Sequence, residues 1–86
     1  MKNSETPPSA RVIFGQNVRR VRRLKEMSQE ELAFRADISR TYLSEVERGE
    51  RNISVDNMEA LACALEMELP DLMRVRLLSL PSEDSR

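Results

Sequence analysis

Apolar residues recur along most of this chain at intervals of three and four positions, a spacing that places them on one face of an α-helix. The first such stretch covers about residues 10–26. Its apolar stripe consists of Phe14, Val18, Val21 and then Leu24 or Lys25. β-branched and aromatic residues are few and never strictly alternate with polar ones, so no strand is expected. The pattern therefore predicts an all-α chain.

Three serines mark the starts of further helices. Each has an apolar residue directly before it and another four positions after it, the arrangement of a hydrophobic staple around an N-terminal cap. These serines are Ser28, Ser39 and Ser54. At the first of them Glu31 completes a capping box, in which its carboxylate is expected to accept from the backbone N–H of the serine. Helices should therefore begin near residues 29, 40 and 55.

The ends of these helices follow from spacing and from turn-forming residues. The second helix must end by about Ala36, because the next one begins near residue 40. The third is expected over about residues 40–48 and ends at Gly49, since glycine adopts the left-handed conformation easily. The fourth is expected over about residues 55–67.

A fifth predicted helix opens at Pro70, because proline is well suited to the first helical position. It carries Leu72, Met73, Val75, Leu77 and Leu78. The polar ends of the chain, residues 1–9 and 81–86, are expected to be flexible arms. One compact five-helix domain over residues 10–80 is therefore predicted.

The second and third predicted helices, with the short turn between them, form the outline of a helix-turn-helix. The residues in and around them are Val18-Arg19-x-Val21-Arg22, Ser28-Gln29-Glu30-Glu31-Leu32-Ala33, Ile38-Ser39-Arg40-Thr41-Tyr42-Leu43-Ser44 and Val46-Glu47-Arg48-Gly49. Over about residues 11–73 the chain resembles the Cro/repressor-type (Xre) DNA-binding domain. The resemblance implies a lambda-repressor-like fold and a sequence-specific transcription regulator that binds duplex DNA.

Two positions depart from the pattern of that family. Glu26, at the end of the first helix, and Asp37, in the turn, stand where the family often has glycine. Because Asp tolerates positive φ better than most residues, we expect the turn to keep its shape. The departures affect loop geometry rather than the positions that would read DNA.

The third predicted helix would lie in the major groove with its N-terminal residues toward the base edges. Arg40 is the main candidate for base reading, because a guanidinium can bind guanine O6 and N7 together. Thr41, Ser44 and Glu45 lie on the same face, and the carboxylate of Glu45 could accept from cytosine N4 or screen the surface against unwanted phosphates.

Contacts to the DNA backbone are expected from a second set of residues. They are Gln29, Ser39, Tyr42, Arg51 and Asn52. Gln29 lies at a helix N-terminus, where free N–H groups and the helix dipole favour a phosphate, and the family resemblance implies the same contact. The resemblance also implies a structural ion pair between Arg22 and Glu47.

The fifth predicted helix has more apolar surface than one packing stripe uses. Leu69, Leu72, Met73 and Leu77 can face the core, whereas Val75 and Leu78 fall outside that stripe. A second apolar stripe in so small a domain usually contacts a partner. We therefore expect a homodimer on a palindromic operator, with Leu72, Val75 and Leu78 at the interface.

Composition narrows the possible functions. The 86 residues include no histidine, the commonest general base and metal ligand, so we expect no enzyme, no metal site and no cofactor. No apolar stretch is long enough to span a membrane, and the first residues lack the apolar core of a signal peptide. The single cysteine, Cys63, is expected to be a buried thiol in a cytoplasmic protein.

The net charge of −1 and a pI of ≈ 5.5 conceal an uneven distribution. Residues 10–54 contain ten basic and seven acidic residues, a net charge of +3. Residues 55–86 contain three basic and seven acidic residues, a net charge of −4. The basic excess lies with the helix-turn-helix, and the near-neutral total should keep non-specific phosphate binding weak.

The expected regulator leaves no segment for an inducer-binding domain, so no small-molecule ligand is expected. Its shape, with Arg40-Thr41-Tyr42 and Arg51-Asn52, is similar to controller proteins of restriction–modification operons, which activate or repress their own promoter. RNA polymerase is then a further candidate partner. A different class stays open: an antitoxin-type protein-interaction module with secondary DNA binding, which a tail longer than residues 79–86 would favour.

Overall fold

Five α-helices make up the part of the chain that the structure, a computed structural model, describes, residues 8–75. They are α1 (Ala10–Leu24), α2 (Gln29–Ala36), α3 (Arg40–Glu47), α4 (Val55–Ala64) and α5 (Leu69–Leu72). No strand occurs within these residues, and the predicted all-α, five-helix fold is confirmed. Within the same range no helix has both the length and the apolar character needed to cross a membrane.

Serine side chains cap the first four helices. In each case the serine Oγ accepts from the backbone N–H three residues later, which satisfies a donor that has no partner inside the helix. The capping serines are Ser9, Ser28, Ser39 and Ser54. The three predicted helix starts are thus confirmed, but Glu31 does not complete the capping box. Its carboxylate accepts from Arg35 at 2.6 Å instead.

The core lies where α1 and α2 pack against α3 and α4, and α5 closes one end against α1 and α4. Its largest fully buried apolar side chains are Phe14, Val18, Leu32, Leu43, Val46, Leu61, Leu65 and Leu72. The predicted stripe on α1 is correct as far as Val21, but both candidates for its last position, Leu24 and Lys25, are exposed. The chain turns after Leu24, so Met27 enters the core in their place.

A glycine permits α1 and α3 to approach closely. A Cβ added to Gly15 would lie 2.1 Å from the backbone oxygen of Val46. No side chain fits in that space, so the glycine is required by packing although it weakens the helix locally. This contact fixes α3 against α1 near the C-terminal end of α3.

Left-handed residues end four of the helical segments. Asp37 has φ 59° and Gly49 has φ 74°, as their sequence contexts indicated. Glu26 and Glu66 also adopt positive φ, at 57° and 60°, without the conformational freedom of glycine or the short side chain of Asp. The turn between α2 and α3 therefore keeps its shape despite the departure at Asp37.

The fifth helix is much shorter than predicted, because it ends at Leu72. The buried side chain of Asn17 donates from Nδ2 to the backbone oxygens of Leu72 and Arg74, each at 2.8 Å. The carbonyl of Leu72 is therefore bonded to α1 rather than to a continuing helix. Val75 is not helical and is 62 % exposed.

Three further predictions are changed by the structure. Leu72 is fully buried within its own protomer, so its assignment to a dimer interface is wrong. Cys63 is exposed on α4 rather than buried, because the packed face of that helix is formed by Leu61, Ala62 and Leu65. Ser9, assigned to a flexible arm, caps α1. Leu77, Leu78, residues 1–7 and residues 81–86 lie outside the described range.

Candidate nucleic-acid interface

A basic hollow of about 560 Å³ opens where α1, the start of α2 and α3 meet. Its lining residues include five arginines, namely Arg19, Arg22, Arg23, Arg40 and Arg48. The capping serine Ser28 and Gln29 form the edge that belongs to α2. A concave surface with this many guanidinium groups beside a helix N-terminus is suited to a polyanion.

One buried ion pair lies at the base of this hollow. Arg22 donates from Nε to Oε2 of Glu47 at 2.7 Å and from Nη2 to Oε1 at 3.0 Å. The third donor of the guanidinium, Nη1, bonds the backbone oxygen of Met27 at 2.9 Å. The pair expected between these two side chains is therefore present, and both are buried. It joins α1, the loop before α2 and the last residue of α3.

Gln29 is connected to the same ion pair. Its Nε2 donates to Oε1 of Glu47 at 3.0 Å, an interaction that the sequence did not indicate. An amide carries two N–H donors, so one remains for a phosphate oxygen. The contact holds the side chain of Gln29 at the edge of the hollow.

The predicted base-reading residues lie at and beyond the opposite edge. Arg40, the first residue of α3, is exposed and lines the hollow, and Ser44 lies one turn further along. Thr41 is exposed but does not line the hollow. The hydroxyl of Ser39 accepts from the N–H of Tyr42 as the cap of α3, so its own hydrogen stays available as a donor.

A polar cluster surrounds the C-terminal half of α3. Arg51 donates from Nε to Oε1 of Glu45 at 2.8 Å, and its Cζ lies 5.0 Å from the centroid of the Tyr42 ring. The hydroxyl of Tyr42 accepts from Nδ2 of Asn57 at 3.2 Å. One carboxylate oxygen of Glu45 is therefore engaged by Arg51. Sequence reasoning missed both the pairing and Asn57, because the partners lie on separate elements.

A second surface arginine near this end is also paired. Arg48 donates from Nε and Nη2 to the two carboxylate oxygens of Glu50, and from Nη1 to the hydroxyl of Ser44. The hydrogen bond from Arg48 lowers the pKa of the Glu50 carboxyl, and the same bond raises the pKa of Arg48. Both groups are thus charged at neutral pH.

Asn52 lies apart from the other predicted contacts. It borders a separate depression beside the start of α1, together with Arg11, Phe14 and Met58. Of the remaining predicted backbone contacts, Gln29 lines the hollow, Ser39 caps the start of α3, and Tyr42, on that helix, lies beside Arg51. No carboxylate lies within 4.0 Å of Arg19, Arg23 or Arg40 in the part of the chain between residues 8 and 75.

Comparisons with known proteins identify relatives of this chain. The chain is 52 % identical over 64 residues to Control protein C.BamHI of Bacillus amyloliquefaciens, with 73 % of this chain and 79 % of that protein covered. Its fold matches the crystal structure of the restriction-modification controller protein C.AhdI from Aeromonas hydrophila, with a TM-score of 0.70 and 47 % identity over 72 % of this chain and 94 % of that chain.

A further solved structure contains DNA. It is the complex with DNA of SinR, the master regulator for biofilm formation, which matches with a TM-score of 0.67 and 31 % identity. The match covers 71 % of this chain and 98 % of that chain. The family described as Helix-turn-helix matches residues 18–72, which include α2, α3 and the hollow. The chain therefore belongs to the helix-turn-helix family, as an Xre-type DNA-binding transcription regulator with restriction–modification controller proteins among its relatives.

Proposed function

We propose that this regulator recognises a palindromic operator as a homodimer, with α3 of each protomer in the major groove. The observation that supports it best is the position of Arg40 at the N-terminus of α3, exposed and without a carboxylate partner in the described residues. A helix that presents its N-terminal residues to base edges is how helix-turn-helix proteins read sequence. Regulation then works by binding, with no catalytic step, cofactor or small-molecule ligand.

Base reading is assigned to Arg40, Thr41 and Ser44. Arg40 would bind guanine O6 and N7 together, and the two hydroxyls would bond a neighbouring base edge or phosphate. Gln29 and Ser39 would hold the backbone, each through a donor that its contacts inside the protein leave free. Arg19 and Arg23, on the α1 edge of the hollow, would add attraction that does not depend on sequence.

The homodimer is assigned to the C-terminal part of the chain. Val75 is the one predicted interface residue that the described range leaves exposed, since Leu72 is buried in its own protomer. A symmetric dimer would present two copies of α3 about 34 Å apart, one helical turn of duplex DNA. The palindrome follows from that symmetry.

The identity to C.BamHI and the structural match to C.AhdI favour a controller of a restriction–modification operon. Such a regulator would act in the cytoplasm, where its promoter is. Control would follow from the occupancy of that promoter, and RNA polymerase would be the partner where binding activates transcription.

Selection of bound duplexes from a random pool tests the proposal. We expect the enriched duplexes to share one palindromic sequence whose two half-sites are centred about 10 base pairs apart. The pool should be incubated with the full 86-residue chain near physiological salt, because low salt inflates non-specific binding. Enrichment without any common sequence would refute specific recognition, and a single unrepeated half-site would refute the dimer.

A further inference from the structure

Beside the exposed residues of α3 lies an ion pair that base reading does not require. Glu45 on α3 accepts from Nε of Arg51, in the loop after that helix, at 2.8 Å. Their side chains are 32 % and 51 % exposed, so water and a polyanion can reach the pair. On its other side the guanidinium of Arg51 lies over the ring of Tyr42. Arg51 is thus held between a carboxylate and an aromatic face.

The Tyr42 ring that supports Arg51 is itself fixed. Its hydroxyl accepts from Asn57, which lies in the first turn of α4. Three elements, namely α3, the loop after it and α4, therefore converge on one arginine. The free protein holds Arg51 in this position before any duplex is bound.

Near the N-terminus of α3, in contrast, several arginines are not paired with carboxylates of the described range. Three of the five arginines at the hollow, Arg19, Arg23 and Arg40, have no carboxylate within 4.0 Å in the described residues 8–75. The free protein therefore presents uncompensated cations near the N-terminus of α3 and a neutralised cation near its C-terminus. A phosphate that approaches Arg51 must displace Glu45, and the exchange of one anion for another gains little free energy.

We propose that Glu45 is a specificity-determining residue that withholds Arg51 from random duplex DNA. On a random duplex Arg51 keeps its carboxylate partner and contributes nothing to binding. On the operator, the base contacts of α3 hold the loop against the sugar-phosphate backbone, and Arg51 exchanges Glu45 for a phosphate. Specificity is raised because the alternative, non-specific complex is disfavoured. Glu45 acts here through Arg51 and is a positioning residue, whereas its sequence position indicated either base reading or direct screening of phosphates.

The substitution Glu45→Gln tests this inference, which rests on the proposed function. Glutamine keeps the shape of the side chain but removes the charge that neutralises Arg51. We expect binding to a random-sequence duplex to tighten about fivefold near 0.15 M salt, the effect of about one added phosphate contact. The plot of log K against log[salt] should become steeper by about 0.9. Operator binding should change less, so the ratio of operator to random affinity falls.

The matched control is Glu59→Gln, which removes the same charge from an exposed residue on α4. Glu59 lines a different depression, with Val55 and Cys63, away from the basic hollow. We expect the slope for Glu59→Gln to equal that of the unchanged chain. Equal slopes for Glu45→Gln and Glu59→Gln would overturn the inference, because only net charge would then matter.

A second pair of variants distinguishes the proposed neutralisation of Arg51 by Glu45 from direct repulsion of phosphates by Glu45. When Arg51 is replaced by Ala, Glu45 has no arginine to withhold, so adding Glu45→Gln should leave random-duplex binding unchanged. If the slope still steepens in the Arg51→Ala background, Glu45 repels phosphates directly and the inference fails. A chain that shows no operator preference at all refutes the proposed function. Operator preference with no effect of Glu45→Gln refutes only this inference.

Discussion

At the scale of single residues, Arg22 and Glu47 determine how α3 is held against α1. Three donors of one guanidinium are used, two on Glu47 and one on the Met27 carbonyl, and Gln29 donates to the same carboxylate. Removing one partner leaves a buried charge without compensation, which costs more than the pair contributes. The network therefore fixes α3 and an expected phosphate contact through the same carboxylate.

Replacing Arg22 by Met should lower the free energy of unfolding by about 3 kcal/mol, because Glu47 then stays buried and unpaired. The double variant Arg22→Met with Glu47→Leu should lose less than the single variant, since no charge is left without a partner. Urea denaturation of both variants, of Glu47→Leu and of the unchanged chain completes the double-mutant cycle. Additive losses would show that the two side chains are not coupled and would contradict this account.

At the scale of elements, helix starts were predictable, whereas the ends of two helices were not: α4 ends at Ala64, three residues before the predicted end, and α5 ends at Leu72. Ser28, Ser39 and Ser54 cap the helices they precede because the signal is local, contained within four residues. The end of α5 depends on Asn17, which lies 55 residues before Leu72 in the sequence. The side-chain amide of Asn17 bonds two carbonyls of this segment, and the spacing of apolar residues within the segment does not reveal those bonds.

In the site too, positions set by local sequence were predictable, whereas pairings between distant residues were not. Arg40 and Ser44 reach the hollow because they share the periodicity of one helix. The pairing of Arg51 with Glu45 requires the chain to reverse after α3, at the left-handed Gly49. Spacing along the sequence identified each of these side chains as a separate candidate and did not reveal that they are partners.

The left-handed end of α1 gives a prediction about stability. Glu26 has φ 57°, a conformation that costs a residue with a Cβ about 1–2 kcal/mol. Glu26→Gly should therefore raise the free energy of unfolding by about 0.5–1 kcal/mol, after the greater unfolded-state entropy of glycine is subtracted.

Thermal denaturation followed by circular dichroism checks this expectation. The control is Glu30→Gly, in the first turn of α2, where the helical conformation gives glycine no advantage and the change should destabilise the chain. A loss of stability in Glu26→Gly as large as that of the control would mean that the positive φ is not strained.

At the scale of the whole molecule, basic and acidic residues are concentrated in different parts of the chain. The basic excess lies in residues 10–54 with the hollow, and the acidic excess lies in residues 55–86. On the proposed function, an acidic second half would disfavour contact of the duplex with that part of the chain, since like charges repel. The proposed dimer contact at Val75 falls within the acidic half.

Val75→Asp should weaken the homodimer, because it places a charge on an apolar contact. Sedimentation velocity at tens of micromolar should show a dimer for the unchanged chain and a smaller sedimentation coefficient for the variant. Leu24→Asp is the control, since Leu24 is 69 % exposed on α1 and lies outside the proposed contact. A monomer for the unchanged chain, both with and without operator DNA, would contradict the dimer.

On the proposed function, Arg40 reads a base from the N-terminus of α3. The most direct measurement is the affinity of Arg40→Ala for the selected operator and for the same duplex with each preferred guanine replaced in turn. Arg20→Ala is the matched control, because Arg20 is exposed on α1 but does not line the hollow. We predict that Arg40→Ala loses about 1–3 kcal/mol of operator binding and no longer distinguishes one guanine position, whereas Arg20→Ala keeps that preference. An Arg40→Ala variant that still discriminates at every guanine would contradict the account.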